Sequence, residues 1–331
     1  MTLQAPSPLE VSDALRDAVC REALAGLLKA SGAQKTLSPW LFYDEPGSHL
    51  FEQITALPEY YLTRTERAIF ARYADEIFLE LASNVTIAEL GAGTATKTGL
   101  LLEAATRFQQ DVLYQPIDIS STALDEACLE LAAHLPDVGV EPQVANYITD
   151  TYTITRPRDH RVLALYIGSS IGNFSPPDAR AILRNLRQHI KADDALLLGV
   201  DLAPGKGKSV DTLLSAYDDA AGVTAAFNKN VLTRLNREIG ADFPLSAFAH
   251  RARWNAAESR IEMHLESLAA QTVHIAGNRI TFAEGETIHT ENSYKFTDAA
   301  LRALLDDSGF APARTFHDDG RCFAVTLATA V

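Results

Sequence analysis

The chain has 331 residues, 47% of them apolar, which is enough for one large folded domain or two intimate ones and disfavours a disordered chain. Its 29 basic and 43 acidic side chains give a formal charge of -14, which opposes binding to nucleic acid and to anionic membranes. Only three cysteines occur, and no export signal or long apolar run is present, so we expect a cytoplasmic protein without disulfides.

The amino-terminal part predicts two helices joined by an aromatic loop. A helix is predicted over 14–31, followed by a loop that carries Trp40, Phe42 and Tyr43. A second helix is predicted from Thr63, because a threonine at the N-cap and Glu66 three positions later form a capping box. This helix leads into the first strongly apolar strand.

From residue 85 onward, apolar runs of strand length alternate with helical patterns. Strands are predicted at 85–90, 112–119, 142–147, 162–167 and 195–202. Helices are predicted at 97–108, 121–135 and 177–190, the last with Ser175 as its N-cap and a proline just inside. Such alternation predicts right-handed βαβ crossovers, a parallel sheet and therefore an α/β fold.

The rhythm changes after Asp201. Two helical stretches, 210–220 and 224–239, are followed by segments of period two at 261–268 and 271–275. We interpret this region as an inserted α+β lobe. The α/β rhythm then resumes with a helix at 298–308 and two closing strands at 314–317 and 322–329.

A glycine-containing bend, Glu89 to Thr94, lies where the first strand turns into a helix, so that Gly91 and Gly93 let backbone amides approach a ligand. A dinucleotide-binding enzyme requires a third glycine at position 96, and a P-loop requires one directly before Lys97. This chain has Thr96 there. S-adenosylmethionine has no phosphate to cradle, so the bend favours a methyltransferase that uses this cofactor.

The second predicted strand ends near Asp118. A carboxylate at this position can accept hydrogen bonds from both hydroxyls of a ribose. Alternatively, Asp118 caps the following helix together with Ser120. The bend and the aspartate together favour the cofactor interpretation.

A second motif, Gly168-Ser169-Ser170-Ile171-Gly172, matches the nucleophile elbow of α/β-hydrolases, with His317 as a conceivable base. In a hydrolase the helix begins directly behind the serine. Here Asn173 and Phe174 intervene, and the start signal comes at Ser175. Serine hydrolase therefore remains only as a distant alternative.

Several segments resemble the histidine Nα-methyltransferases of ergothioneine biosynthesis. The resemblance runs from about Leu37 to the carboxyl terminus and includes tyrosine-bearing segments outside the generic cofactor fold. The matching segments are 42–44 with Gly47-Ser48, 57–66, 89–91, 168–173, 216–222, 226–228 and 260–263.

The resemblance implies trimethylation of the histidine α-amine to hercynine, with S-adenosylmethionine as the cofactor and S-adenosylhomocysteine as its product. No metal is predicted, because the histidines form no metal-binding cluster in the sequence. The resemblance also implies a Rossmann-like class I methyltransferase domain at 67–203 and 293–331, and a substrate-binding lobe at 1–66 and 204–292. We expect a monomer. The cofactor would contact Tyr43, Gly91, Lys97, Asp118, Asn146 and Tyr147, and the amino acid would contact Tyr60, Asn173, Tyr217, Glu291 and Ser293. We assign the catalytic role to Asn173 and Tyr60.

Two positions depart from the family pattern. Asn146 stands where the family has an aspartate for the adenine amino group, and its amide oxygen can accept that bond without charge assistance. Asn292, between Glu291 and Ser293, stands where relatives are apolar. A methyltransferase for another aromatic amino acid such as tryptophan, and a catalytically idle binder, therefore remain as alternatives. The nine histidines form no metal-binding sequence motif.

Overall fold

The computed structural model of the chain describes residues 13–30, 32–93, 95, 97–148 and 150–331. In this part of the chain the helices are α1 (Asp13–Leu27), α2 (Glu45–Thr55), α3 (Tyr61–Leu81), α4 (Gly99–Phe108), α5 (Ser121–His134), α6 (Pro176–His189), α7 (Val210–Tyr217), α8 (Val223–Ile239) and α9 (Asp298–Asp306). The strands are β1 (Lys35–Thr36), β2 (Val85–Leu90), β3 (Val112–Asp118), β4 (Val138–Val140), β5 (Gln143–Val144), β6 (Arg161–Tyr166), β7 (Ala195–Asp201), β8 (Phe248–Asn255), β9 (Arg260–Ser267), β10 (Gln271–Ile275), β11 (Asn278–Phe282), β12 (Thr287–Tyr294), β13 (Phe310–His317) and β14 (Phe323–Ala330).

The chain divides into two compact units. Among the described residues, the first unit contains those up to Tyr60 and those of Leu214–Asn255 and Ile261–Asn292, and the second contains those of Tyr61–Leu213, Ala256–Arg260 and Ser293–Val331. Compared with the predicted boundaries, the second unit begins at 61 instead of 67, extends to 213 instead of 203 and also includes 256–260. The functions assigned to the two lobes remain predictions.

One mixed sheet forms the centre of the second unit. Its strand order is β13-β14-β7-β6-β2-β3-β4, with β5 also paired to β3. Strands β7, β6, β2, β3 and β4 run parallel, whereas β14 is antiparallel to β7 and β13 is antiparallel to β14. The predicted α/β class, with a parallel sheet closed by a late hairpin, is confirmed.

The sheet brings together the residues that follow its strands. Because parallel strands end at the same edge, Gly91 after β2, Asp118 at the end of β3, Gly168 just beyond β6 and Asp201 at the end of β7 share the carboxyl edge. The strands are held in place by burial, since every residue of β2 and β7 is buried. This edge is the location at which ligands bind in open α/β sheets.

A four-stranded sheet of order β1-β12-β9-β8 and a separate β10-β11 hairpin belong mainly to the first unit. Strand β12 lies between β1 and β9, so its side chains have neighbours on both sides. Helix α2 packs against α8 in the same unit. Its N-cap Asp44 accepts a hydrogen bond from the Gly47 amide and another, 2.7 Å long, from the Asn230 side chain of α8.

Several predicted elements were wrong. The loop expected after residue 31 contains α2, although Asp44 and Pro46 provide the N-cap and early proline that start a helix. The predicted strand at 142–147 shortens to Gln143–Val144, because Pro142 has no N–H to donate to a ladder. Strand β12 was missed because it buries polar residues such as Thr290 and Ser293, which hide the apolar alternation.

The predicted capping box at Thr63 and Glu66 was also wrong. Helix α3 begins at Tyr61, so Thr63 lies inside it, and the Glu66 side chain is fully buried. The Tyr61 hydroxyl lies 2.8 Å from both carboxylate oxygens of Asp201 and donates to that group. Tertiary contacts of Tyr61 and Glu66 therefore override the local start signal.

Candidate active site

The bend after β2 has the backbone shape that glycine favours. The φ angles of Gly91 and Gly93 are 69° and 53°, in the left-handed region. The Gly91 amide donates to the Ile117 carbonyl at 2.8 Å, which ties the bend to the end of β3. A Cβ at Gly91 would lie 3.4 Å from the Tyr147 ring and would narrow the space beside the bend. Thr96, which argued against the other nucleotide-binding classes, lies outside the described residues, as does Thr94.

Asp118 serves both the bend and the next helix. One carboxylate oxygen accepts from the Gly93 amide at 3.0 Å, and the other accepts from the Ser120 amide at 2.9 Å. Ser120 is itself the N-cap of α5. Because each carboxylate oxygen has about two acceptor positions, both oxygens retain capacity for a ribose diol. The capping and cofactor interpretations of Asp118 are therefore compatible.

Lys97 lies directly behind the bend and pairs with Glu66 of α3. The Lys97 Nζ lies 2.5 Å from Glu66 Oε2, and the lysine side chain is 23% exposed whereas the glutamate is 1% exposed. Glu66 also accepts from the Gly168 amide at 2.8 Å. A Cβ at Gly168 would lie 2.9 Å from the Lys97 ammonium, so the glycine leaves room for it. The partly exposed ammonium keeps donors for a further anionic partner.

These groups fit S-adenosylmethionine. Gly91 and Gly93 have no Cβ atoms and so allow a ligand to approach the backbone of the bend closely. The Asp118 oxygens match a pair of hydroxyls, and Lys97 matches a carboxylate.

Asn146 and Tyr147 follow β5. The Asn146 side-chain oxygen accepts from the Ile148 amide at 3.0 Å, which leaves it one further acceptor position. The Tyr147 hydroxyl lies 3.4 Å from the Tyr166 hydroxyl, and burial raises the pKa of Tyr147. Tyr147 therefore faces Gly91 as a neutral phenol.

Glu89, near the end of β2, is a second buried carboxylate of the second unit, in addition to Glu66. It accepts hydrogen bonds from the Thr98 hydroxyl at 2.7 Å and from the Tyr114 hydroxyl at 2.5 Å. Glu89 is 2% exposed, and this burial raises its pKa to about 7. Its contacts link the bend to the start of α4.

Asn173 ends the 3-10 turn Ser170–Asn173 and is half-buried. In the same turn, the Ser170 hydroxyl donates to the Ile167 carbonyl at 3.3 Å, and the next helix begins only at Pro176. Ser169 has the left-handed backbone, and its hydroxyl accepts from the Asp201 amide. This geometry differs from a nucleophile elbow, and the hydrolase alternative loses its structural basis.

Ser293, at the start of the last part of the second unit, is 3% exposed. Its hydroxyl accepts a 2.8 Å hydrogen bond from the Lys295 ammonium. Lys295 in turn pairs with Asp201 at 2.8 Å, and neither side chain is exposed. Asp201 also pairs with Lys208 at 2.5 Å. This ionic cluster was not predicted from the sequence.

In the first unit, the predicted tyrosines lie in one aromatic group. The rings of Tyr60 and Tyr217 are 6.2 Å apart and both residues are buried. Phe51 contacts Tyr60 on one side and Tyr43 on the other, with centroid distances of 6.3 Å and 5.9 Å. Tyr43 is 39% exposed, the largest exposure of the three tyrosines. The structure thus brings Tyr43, Tyr60 and Tyr217 into one aromatic cluster.

Glu291 lies on β12 and is 8% exposed, so it is a buried residue and not a solvated one. Side chains alternate along a strand, and Glu291 and Ser293 therefore point to the same face of β12 whereas Asn292 points to the other. The Asn292 side-chain oxygen is buried and has no hydrogen-bond partner within the described chain. The Asn292 side chain consequently does not lie on the face of β12 that carries Glu291.

Glu262, His264 and His289 form a cluster whose possible ligand atoms lie within 4.8 Å of one another. The two imidazole rings are stacked, with centroids 4.7 Å apart and planes inclined by 20°. Lone pairs of imidazole lie in the ring plane, so nearly parallel stacked rings do not aim at a common ion. Burial lowers the pKa of His264 to about 4, which keeps that ring neutral. His250 is buried and has hydrogen-bond partners on both ring nitrogens, the Asn228 side chain and the Tyr217 carbonyl.

The missed residues share one property. Glu66, Asp201, Lys208 and Lys295 are charged groups that are buried by pairing with one another or with the bend. A single sequence does not reveal which charged residues are buried. The one local signal was Lys295, which stands between Tyr294 and Phe296 at the end of a strand.

No helix among the described residues is long and apolar enough to cross a membrane.

A family model for histidine-specific, SAM-dependent methyltransferases matches residues 19–330. The chain is 39% identical over 330 residues to a histidine N-alpha-methyltransferase of Mycolicibacterium smegmatis, covering 99% of each chain. It is 37% identical over 318 residues to the Mycobacterium tuberculosis histidine N-alpha-methyltransferase, covering 96% of each. An L-tryptophan methyltransferase of Psilocybe serbica is 27% identical over 328 residues, covering 89% of this chain and 88% of that protein.

Proposed function

The chain belongs to the family of histidine-specific, S-adenosylmethionine-dependent methyltransferases, and we propose that it trimethylates the α-amino group of L-histidine to give hercynine, a step of ergothioneine biosynthesis. The observation that carries the proposal is the 39% identity, over nearly the whole chain, to a histidine N-alpha-methyltransferase. The glycine bend, Asp118 and Lys97 support the cofactor part of it. The monomeric state and the cytoplasmic location remain predictions.

In this proposal the bend at Gly91 and the carboxylate of Asp118 hold the nucleoside of the cofactor. Lys97 pairs with its methionine carboxylate, which Glu66 makes possible by fixing the ammonium behind the bend. Asn146 offers its remaining acceptor position to the adenine amino group. We assign Tyr147 and Tyr43 to the walls around the cofactor on the basis of the resemblance.

Histidine is assigned to Tyr60, Asn173, Tyr217, Glu291 and Ser293. The carboxylate of Glu291 has several acceptor positions, and the N–H of an imidazole ring can donate to one of them. Asn173 orients the α-amine and Tyr60 contributes its hydroxyl to the same task. Both roles follow from the resemblance.

When bound, S-adenosylmethionine supplies an activated methyl group. The residues of the chain then have to align the amine lone pair with that group and exclude water. Asn173 is a neutral amide and does not act as a base, so it orients the amine while the ammonium proton is lost to solvent. The product of three transfers carries a fixed positive charge on nitrogen.

Tryptophan is the second candidate substrate, because the Psilocybe serbica L-tryptophan methyltransferase is similar over most of the chain. An indole has one N–H donor and no ring acceptor, so it could satisfy Glu291 but not a donating Ser293.

Mass spectrometry distinguishes these functions. The enzyme is incubated with S-adenosylmethionine and an equimolar mixture of histidine and tryptophan. The proposal predicts histidine with one, two and finally three additional methyl groups. Methylated tryptophan with unmodified histidine would establish the second candidate, and modification of neither would refute both.

A further inference from the structure

A buried ionic relay ends at the hydroxyl of Ser293. The relay consists of Asp201, Lys295 and Ser293, with Lys295 Nζ at 2.8 Å from Asp201 Oδ2 and at 2.8 Å from Ser293 Oγ. The side chains of Asp201 and Lys295 are 0% exposed. Asp201 is further held by the Tyr61 hydroxyl at 2.8 Å and by Lys208 at 2.5 Å. This arrangement fixes the Lys295 ammonium with little freedom.

The relay determines how the hydroxyl can bond. A serine hydroxyl normally serves as a donor or as an acceptor, because its hydrogen rotates. The ammonium occupies one lone pair of Ser293 Oγ and, being a cation, polarises the O–H bond. The oxygen becomes a poorer acceptor for a second N–H and a stronger donor. The Ser293 hydroxyl is thereby biased toward acting as a hydrogen-bond donor.

From this geometry we propose that Lys295 is a positioning residue that makes Ser293 a hydrogen-bond donor and so selects substrates with an acceptor nitrogen in the ring. This inference rests on the proposed function, in which Ser293 and Glu291 contact the imidazole. Glu291 accepts the N–H of one ring nitrogen, and Ser293 donates to the lone pair of the other. The enzyme then binds the neutral ring in one tautomer and disfavours both the imidazolium and rings without an acceptor.

Lys208 provides a matched control. It is a second lysine, 1% exposed, paired with the same Asp201, and it donates to the Cys322 carbonyl instead of to Ser293. Methionine is similar in shape to lysine but carries no charge. Replacement of either lysine by methionine therefore removes one buried cation and leaves Asp201 with one lysine partner. Both variants are therefore expected to lose similar amounts of stability, whereas only Lys295→Met changes the hydroxyl.

The test compares histidine with the two pyrrolylalanine isomers, in each of which one ring nitrogen keeps its N–H and the other is replaced by C–H. Affinities are measured calorimetrically in the presence of S-adenosylhomocysteine. The wild type should prefer histidine over the better isomer by about tenfold, the effect of one good hydrogen bond. In Lys295→Met this preference should fall about fivefold, in Lys208→Met it should stay at the wild-type value, and Ser293→Ala should reproduce Lys295→Met. The role assigned to Lys295 would be overturned if Lys295→Met kept the wild-type preference for histidine, or if this preference fell equally in both lysine variants.

A second measurement requires no variant. Nitrogen NMR of labelled histidine bound to the wild type with S-adenosylhomocysteine reports the protonation of each ring nitrogen. One protonated and one accepting nitrogen are expected. Two protonated nitrogens would overturn the role of Lys295 while leaving the proposed function intact. Failure of the wild type to bind or methylate histidine would refute the proposed function itself.

Discussion

Glu66 and Lys97 form an ion pair of 2.5 Å between helix α3 and the residues behind the glycine bend, and the glutamate is almost completely buried. The same carboxylate accepts from the Gly168 amide, so one side chain joins α3, the bend after β2 and the turn after β6. Because Glu66 fixes the ammonium in this position, we expect Lys97 to pair with the carboxylate of the cofactor.

Replacement of Glu66 by glutamine tests this relationship. Glu66→Gln keeps the size of the side chain but loses the charge, and we expect the free energy of unfolding to fall by about 2 kcal/mol because a charge-assisted, buried contact is weakened. The dissociation constant of S-adenosylhomocysteine should also rise. Urea unfolding and calorimetry measure the two effects.

Glu80→Gln is the matched control, because Glu80 lies on the same helix and pairs with Arg314 at 2.7 Å in an exposed position. It should change stability by less than about 0.5 kcal/mol and leave the dissociation constant unaltered. Equal effects of the two variants would show that the Glu66 pair has no special role.

The Gly168→Ala variant tests whether the position of the Lys97 ammonium depends on the space that the glycine leaves. The φ of 81° at Gly168 disfavours any other residue, and a Cβ would lie 2.9 Å from the Lys97 ammonium. Gly168→Ala should therefore weaken binding of S-adenosylhomocysteine and also cost about 1 kcal/mol of stability through backbone strain.

The control for strain is Gly240→Ala, at the end of α8, where φ is 65° and nothing lies within 4 Å of the added Cβ. It should lose similar stability but retain wild-type cofactor affinity. Retention of affinity in Gly168→Ala would contradict the position assigned to Lys97.

The buried carboxylate of Glu89 predicts a dependence of stability on pH. Its pKa in the folded state is about 7, raised from 4.5 by burial, so between pH 4.5 and 7 the folded chain binds more protons at this site than the unfolded chain. The contribution of Glu89 to stability is therefore present below pH 4.5, is lost as the pH rises to 7 and is constant above that.

Relative to Glu89→Gln, which cannot titrate, the wild type should lose about 3 kcal/mol over this interval, an upper figure obtained from the size of the pKa shift. Urea unfolding of both proteins from pH 4 to 8 measures the difference. A difference that is independent of pH would show that Glu89 ionises normally.

Glu291 is the residue that we expect to recognise the imidazole ring. Glu291→Ala should raise KM for histidine by about tenfold or more while KM for S-adenosylmethionine changes little, because a hydrogen bond to a charged group is lost on the substrate side alone. Glu284→Ala, an exposed glutamate of the same unit, should change neither constant. A parallel rise of both constants in Glu291→Ala would refute the role.

The sequence predicted the parts of the molecule in which local pattern and burial agree. The apolar runs of β2, β6 and β7, the N-cap Ser175 and the bend at Gly91 all lie where the pattern places them, and the family match to histidine methyltransferases is confirmed. It did not predict the ion pairs of Lys295 with Asp201 and of Glu66 with Lys97, since each pair joins residues that are distant in sequence. The same holds for β12, in which Thr290 and Ser293 are buried because of their neighbours.

We infer that the bend at Gly91 together with Asp118 forms the site of a sulfonium nucleoside. The most direct measurement is calorimetric titration of the wild type and of Asp118→Ala with S-adenosylhomocysteine, each with and without histidine. We expect saturable binding to the wild type and a loss of at least tenfold in Asp118→Ala, because both ribose hydroxyls lose their acceptor. Absence of binding to the wild type under both conditions, or unchanged affinity in the variant, would contradict the claim.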